Sequence, residues 1–241
     1  MNTRYAISDI HGNYRTFLNA LDTIQLSPSD ELYLLGDYID RGPGSREVIS
    51  HIFQLIKEGY RVNCLRGNHE QYMLDAFATD DFSPQNYWLK TGGGQTLDSY
   101  RTSKTDLHPI VDDHLKWMNA LPYYFDIGDY LLVHAGLNFK SPDPLQDKKG
   151  ILFSRRWYGD IDPGWLGDRF VVHGHTPIER HLIEAQLSDD HPYPAFNIDA
   201  GCFHYRPGFG HLCVMNLDNR SFDFLANADM DILAIRQERL V

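Results

Sequence analysis

Three short stretches repeat one design and constrain the rest of the chain: Ser8-Asp9-Ile10-His11-Gly12, Gly36-Asp37-Tyr38-Ile39-Asp40-Arg41-Gly42 and Gly67-Asn68-His69-Glu70. Each follows an apolar run with the length and composition of a buried β-strand: Tyr5-Ala6-Ile7, Leu32-Tyr33-Leu34-Leu35 and Val62-Asn63-Cys64-Leu65. Between the strands the apolar residues take a helical period, first at Phe17, Leu18, Leu21 and Ile24. A second helix opens at Pro43 and Ser45, carries Val48, Ile49, Ile52, Phe53 and Ile56 on one face, and stops at Gly59. Strands that alternate with helices pair in parallel, and ligands in such sheets gather beyond the carboxyl ends of the strands. All three motifs are expected at those ends. Their carboxylates, imidazoles and side-chain amide suit a pair of divalent ions of intermediate hardness, Mn²⁺ first with Fe²⁺ or Zn²⁺ as alternatives.

The alternation breaks from roughly residue 71 to 120, where a mostly helical insertion is expected around Trp88, Gly92-Gly93-Gly94 and Trp117. The glycine triplet lacks the Lys-Ser/Thr of a phosphate-binding loop and no apolar strand precedes it, so it reads as a flexible turn between helices. Beyond it come short β-signals broken by Gly, Pro and Asp: Tyr123-Tyr124-Phe125, Tyr130 to Val133, Phe170 to Val172, Phe196 to Ile198 and Leu212 to Met215. A second sheet is expected from them. The tail beyond Ala226, with Leu233, Ile235, Arg236, Glu238 and Arg239, carries no signal.

A formal net charge of -11 argues against a general basic surface for nucleic acid, because phosphate neutralisation needs Lys and Arg. No run is long and apolar enough for a membrane span and no signal-type segment opens the chain, so a cytoplasmic protein without a membrane partner is expected. Cys64, Cys202 and Cys213 are odd in number and lie in apparent strands, as reduced core thiols do. The oligomeric state is not legible, with a monomer as the default.

The three motifs, followed in order by Val133-His134-Ala135-Gly136 and His173-Gly174-His175-Thr176, resemble the signatures of the calcineurin-like metallophosphoesterases of the PPP type, over nearly the whole chain. Asn68-His69-Glu70-Gln71 with Trp88-Leu89 and the glycine triplet is similar to the bacteriophage-lambda type of protein phosphatase and its bacterial relatives. The resemblance implies a single α/β domain over residues 1–241, a sandwich of two mixed β-sheets flanked by helices with the helical insertion. It implies Asp9, His11, Asp37, Asn68, His134 and His175 as ligands of two ions, with Asp37 bridging. A hydroxide held between the ions would attack phosphorus in line, Arg41 and Arg155 would hold the phosphoryl oxygens, and His69, oriented by Asp40, would protonate the leaving alkoxide.

Three points qualify that implication. Phe153-Ser154-Arg155-Arg156-Trp157 offers two arginines, of which the family pattern favours Arg155. His173 shares a strand face with His175, but the pattern places the ligand before Thr-Pro and leaves His173 structural. Ser8 replaces the usual glycine before the first Asp, which suggests an unstrained turn. His51, His108, His114, His181, His191, His204 and His211 fit no motif, and solvated or core roles are their default.

Three functions are then weighed. The first is a phosphatase of phosphoserine and phosphothreonine in proteins, with phosphotyrosine as a further substrate. The second is a hydrolase of diadenosine polyphosphates or small phosphoesters. The third is a scaffold without activity. The diadenosine group typically has Ala-Arg for Asp40-Arg41 and Asp for Glu70, so the first is preferred, and a scaffold would have lost a ligand or the acid.

Overall fold

A computed structural model describes residues 2–79, 81–101 and 112–231; His108 and the tail residues from Leu233 onward lie outside them. Strands β1 (Arg4–Ile7), β2 (Glu31–Leu34) and β3 (Arg61–Cys64) alternate with helices α1 (Tyr14–Thr23) and α2 (Ser45–Lys57). β1 pairs in parallel with β2, and β2 with β3, as the alternation predicts. The expected face of α2 needs one correction: Leu55 joins Val48, Ile49 and Ile52 in the core, while Ile56 is exposed. At about 100° per residue, position 55 lies three beyond Ile52 and closes the apolar stripe.

After β3 the described residues form α3 (Asn68–Phe77), α4 (Phe82–Trp88), a π-type turn at Leu89–Gly93, α5 (Gly94–Tyr100) and α6 (Asp112–Ala120). It then forms β4 (Tyr124–Asp126), β5 (Tyr130–Val133), α7 (Lys148–Phe153), α8 (Pro163–Leu166), β6 (Phe170–His173), α9 (Arg180–Ala185), β7 (Ala195–Asn197), β8 (His211–Asn216) and β9 (Ser221–Ala226). One sheet runs β3-β2-β1-β8-β9 and the other β4-β5-β6-β7, each with parallel and antiparallel pairs. The hairpin strand β9 was not expected from the sequence, although Phe222 and Phe224 alternate with polar residues in it.

Period-2 alternation divides the apolar side chains among three layers. Ala6, Tyr33, Leu132, Val172, Cys213 and Met215 fill the space between the sheets. Their strand neighbours Ile7, Leu32, Leu34 and Val214 face α1 and α2, and Leu131, Val133 and Val171 face Trp157 and Leu166 on the opposite side. All three cysteines are buried and free; Cys202, expected in a strand, lies in the loop after β7. No helix among the described residues is long and apolar enough to cross a membrane.

Candidate metal centre

Every predicted site motif begins where a strand ends. Asp9 and His11 follow β1, Asp37 to Arg41 follow β2, Asn68 and His69 open α3 after β3, His134 follows β5 and His175 follows β6. The loop after β1 is not the unstrained turn that the sequence suggests. Asp9 has φ 54° and His11 φ 48°, and Asp37, Asp40, Arg41 and His175 are also left-handed. Among the described residues only two other non-glycine positions, Gln25 and Arg220, share this conformation. Each such residue costs on the order of 1–3 kcal/mol, held here by surrounding hydrogen bonds, and the strain collects at one crevice. Ser8 itself is not left-handed, and its hydroxyl donates to Asp9 and fills the space that any Cβ at Gly174 would need.

Backbone carbonyls fix the imidazoles. Nδ1–H of His11 donates to the Ile39 carbonyl at 3.0 Å, and Nδ1–H of His134 to that of Leu35 at 2.8 Å, which leaves each Nε2 lone pair facing inward. His11 Nε2 lies 3.9 Å from Asp9 Oδ1 and 3.6 Å from Asp37 Oδ2. His134 Nε2 lies 3.4 Å from Asp37 Oδ1 and 2.9 Å from Asn68 Oδ1, and that amide oxygen is 2.7 Å from His175 Nδ1. Two sets of ligand atoms therefore close to within 4.8 Å, His11-Asp37-His69 and Asp37-His134-His175, with Asp37 in both. All of these side chains are buried.

The arrangement fits cations. With Nδ1–H of His134 given to the Leu35 carbonyl, its Nε2 faces Asn68 Oδ1 at 2.9 Å, and His175 Nε2 is buried with no hydrogen-bond partner. Burial, reinforced by Asp9, pushes the Asp37 carboxyl up; burial and Asp9 do the same to Asp199. Burial lowers the imidazoles of His11 and His175, the latter to about 2, with Arg41 adding for His11 and His134 and Arg155 for His175. Buried imidazole nitrogens, carboxyl groups and a side-chain amide crowded together in this way form a donor set for divalent ions, two of which would share Asp37.

His69 sits at the edge of this set. Its Nδ1–H donates to Asp40 Oδ2 at 2.7 Å, while Nε2 lies 4.0 Å from Asp37. Asp40 is fully buried and also accepts from Trp88 Nε1 at 3.1 Å and Thr96 Oγ1 at 2.7 Å. The glycine triplet is structural, yet it is packed against the second motif rather than forming a loose turn. Gly92 (φ 124°) accepts the Arg41 N–H at 3.2 Å, and a Cβ there would come within 2.8 Å of Arg41. The Arg41 guanidinium donates to His11 Nε2 at 3.0 Å and lies 3.9 Å above the Phe203 ring. Arg155 and Arg156 are both exposed; of the two, Arg155 acts on His175. His173 is held by the Tyr158 hydroxyl at 2.6 Å and lies outside both ligand sets.

Four participants had no predicted role. Trp88 and Thr96 hold Asp40 from the helical insertion, and Phe203 supports Arg41. Asp199 follows β7 as Asn197-Ile198-Asp199-Ala200-Gly201, the same strand, carboxylate and glycine order as the first motifs, so its signal was present. Glu70 takes on a different meaning from the sequence reading. Its carboxylate accepts the N–H groups of Asp37, Tyr38 and Gly67, each at 2.9 Å, and ties the second motif to the third. It is a fully buried backbone clamp, a structural role that accounts for the residue without reference to substrate class.

The calcineurin-like phosphoesterase family matches residues 4–213, and the chain belongs to it. A symmetrical bis(5'-nucleosyl)-tetraphosphatase of Aromatoleum aromaticum is 33% identical over 135 residues, 55% of this chain and 44% of that protein. Its counterpart in Nitrosomonas europaea is 31% identical over 174 residues, 67% of this chain and 59% of that protein. The chain thus matches about half the length of these relatives. A protein serine/threonine phosphatase of Saccharomyces cerevisiae superposes with a TM-score of 0.63 at 15% identity, over 93% of this chain and 80% of that one. At that identity the likeness is one of fold.

Proposed function

For this member of the calcineurin-like phosphoesterases, a metal-binding hydrolase family, we propose phosphomonoester hydrolysis on phosphoserine and phosphothreonine of proteins, with phosphotyrosine as a further substrate. The observation that carries the reading is the buried Asp40–His69 pair at 2.7 Å. An alkoxide leaving group is a strong base and needs a proton in the transition state. The nucleoside diphosphate released from a dinucleoside tetraphosphate is a weak base and departs without one.

Asp9, His11, Asp37, Asn68, His134 and His175 would hold the two ions, which we take as Mn²⁺ from the mix of imidazole and carboxylate. When bound, the ions supply an activated water and neutralise phosphoryl oxygens. The protein's own residues do the rest. Arg41, fixed by Phe203 and by its tie to Gly92, and Arg155 at the rim offer planar forks to the equatorial oxygens. Asp40 keeps a proton on His69 Nδ1, which makes Nε2 the atom that gives its proton to the departing oxygen.

The names of the curated relatives favour a second reading, hydrolysis of bis(5'-nucleosyl) tetraphosphates. Steady-state kcat/KM on a phosphothreonine peptide and on bis(5'-adenosyl) tetraphosphate, measured side by side, separates the two. The first reading expects the peptide to be hydrolysed at least as efficiently. A preference for the dinucleotide by orders of magnitude would establish the second.

A further inference from the structure

Beside the metal centre, α7 and the segment that follows it border a groove of about 310 Å³. Four cations line it, Lys140, Lys149, Arg155 and Arg156. Its two carboxylates are already engaged. Asp160 pairs with Lys140 at 2.8 Å, and Asp147 accepts from the Gly150 N–H at 2.9 Å and the Asn138 amide at 2.8 Å. Among the described residues no carboxylate lies within ion-pair distance of Lys149, Arg155 or Arg156, in a chain whose net charge is -11. Cations left unpaired on so acidic a protein form a local attractor for anions.

The groove is continuous with the chemistry. The Phe153 ring lines it and lies 5.6 Å from the Tyr72 ring, which in turn lies 5.6 Å from the His69 ring. Its wall is also fixed to the ligand loop: the Ala135 N–H donates to the Ile151 carbonyl at 2.9 Å and Trp157 Nε1 to the Ala135 carbonyl at 3.2 Å, one residue from His134. A substrate whose leaving oxygen sits at His69 would run its neighbouring residues past Tyr72 and Phe153 toward the cations.

Resting on the phosphoprotein reading above, we propose that this groove is a second anion subsite. Lys149 and Arg156 engage acidic side chains flanking the phosphorylated residue while Arg155 faces the phosphoryl group, so the enzyme selects acidic phosphopeptides.

The test uses two peptides with the same central phosphothreonine, one flanked by glutamates and the other by glutamines. The Mn²⁺-loaded protein turns both over at low and at high salt, as wild type and as the Lys149→Gln/Arg156→Gln double variant. Two exposed ion pairs should favour the acidic peptide by about three- to ten-fold in kcat/KM. The ratio should fall toward one in the double variant and, in the wild type, with rising salt. The salt comparison needs no variant, so it holds if the substitutions impair folding. Equal kcat/KM for the two peptides in the wild type overturns the subsite and leaves the phosphatase reading intact. A preference that survives in a folded double variant also overturns it. Hydrolysis of bis(5'-adenosyl) tetraphosphate with neither peptide cleaved overturns the subsite together with the reading beneath it.

Discussion

Asp40→Asn tests the acid pair by changing a single atom. The carboxylate receives three donors, His69 Nδ1 at 2.7 Å, Thr96 Oγ1 at 2.7 Å and Trp88 Nε1 at 3.1 Å, with no solvent contact. An asparagine keeps one acceptor oxygen and turns an NH₂ toward the remaining donors. Leaving one buried donor unpaired costs about 1–3 kcal/mol, which for a domain of this size lowers Tm by roughly 3–10 °C. His69 can relieve the clash by moving its proton to Nε2, but the ring then loses the carboxylate that holds its Nδ1 and orients it. The expected loss is about 10²-fold in kcat/KM on a phosphoserine peptide, toward the lower end of what a positioned acid is worth. On p-nitrophenyl phosphate, whose phenolate leaves with little help, the loss should stay within about ten-fold. His69→Asn should give the same pattern more strongly, at about 10²–10⁴ on the peptide. Elemental analysis of the same preparations shows whether the metals remain. Equal losses on both substrates with metals bound would refute general acid catalysis by His69 and leave it a positioning or electrostatic part.

Three further outcomes are expected. Chelator-treated protein should lose activity and regain it with Mn²⁺ far better than with Ca²⁺, which prefers all-oxygen cages, and Asp37→Asn should lose metal and activity on every substrate; full activity after verified metal removal would sink the two-metal reading. Gly92→Ala forces a left-handed non-glycine residue against Arg41 and should cost about 1–3 kcal/mol in thermal unfolding and raise KM; a neutral result would show that the triplet does not brace Arg41. Burial, with Arg46 adding, lowers the pKa of His114, so as pH falls through about 6.5 the unfolded chain binds this proton before the folded one does and stability declines. His114→Gln should flatten that acid limb of a Tm-against-pH curve, and an unchanged slope would remove His114 as a contributor.

The sequence by itself determined the parts whose information sits in short windows. Short apolar runs followed by a period of 3.6 identified β1 to β3 with α1 and α2, and a chelating side chain after each strand located Asp9, His11, Asp37 and Asn68 at one sheet edge. The relations between windows were decided only in three dimensions. Trp88 and Thr96 reach Asp40 from 48 and 56 residues away, and nothing local in Trp88-Leu89 or in the glycine triplet says which carboxylate they will hold. The left-handed backbone at Asp9 and His11 was likewise hidden, because Asp and His tolerate that conformation without requiring it and only the surrounding hydrogen bonds impose it. Glu70 shows the same division: its letter suggested a substrate class, whereas packing made it the clamp for three backbone N–H groups. Residue identity sets which chemistry a site can perform, and the approach of distant segments sets which residue performs it, because burial and orientation belong to the packed chain and not to any stretch of it.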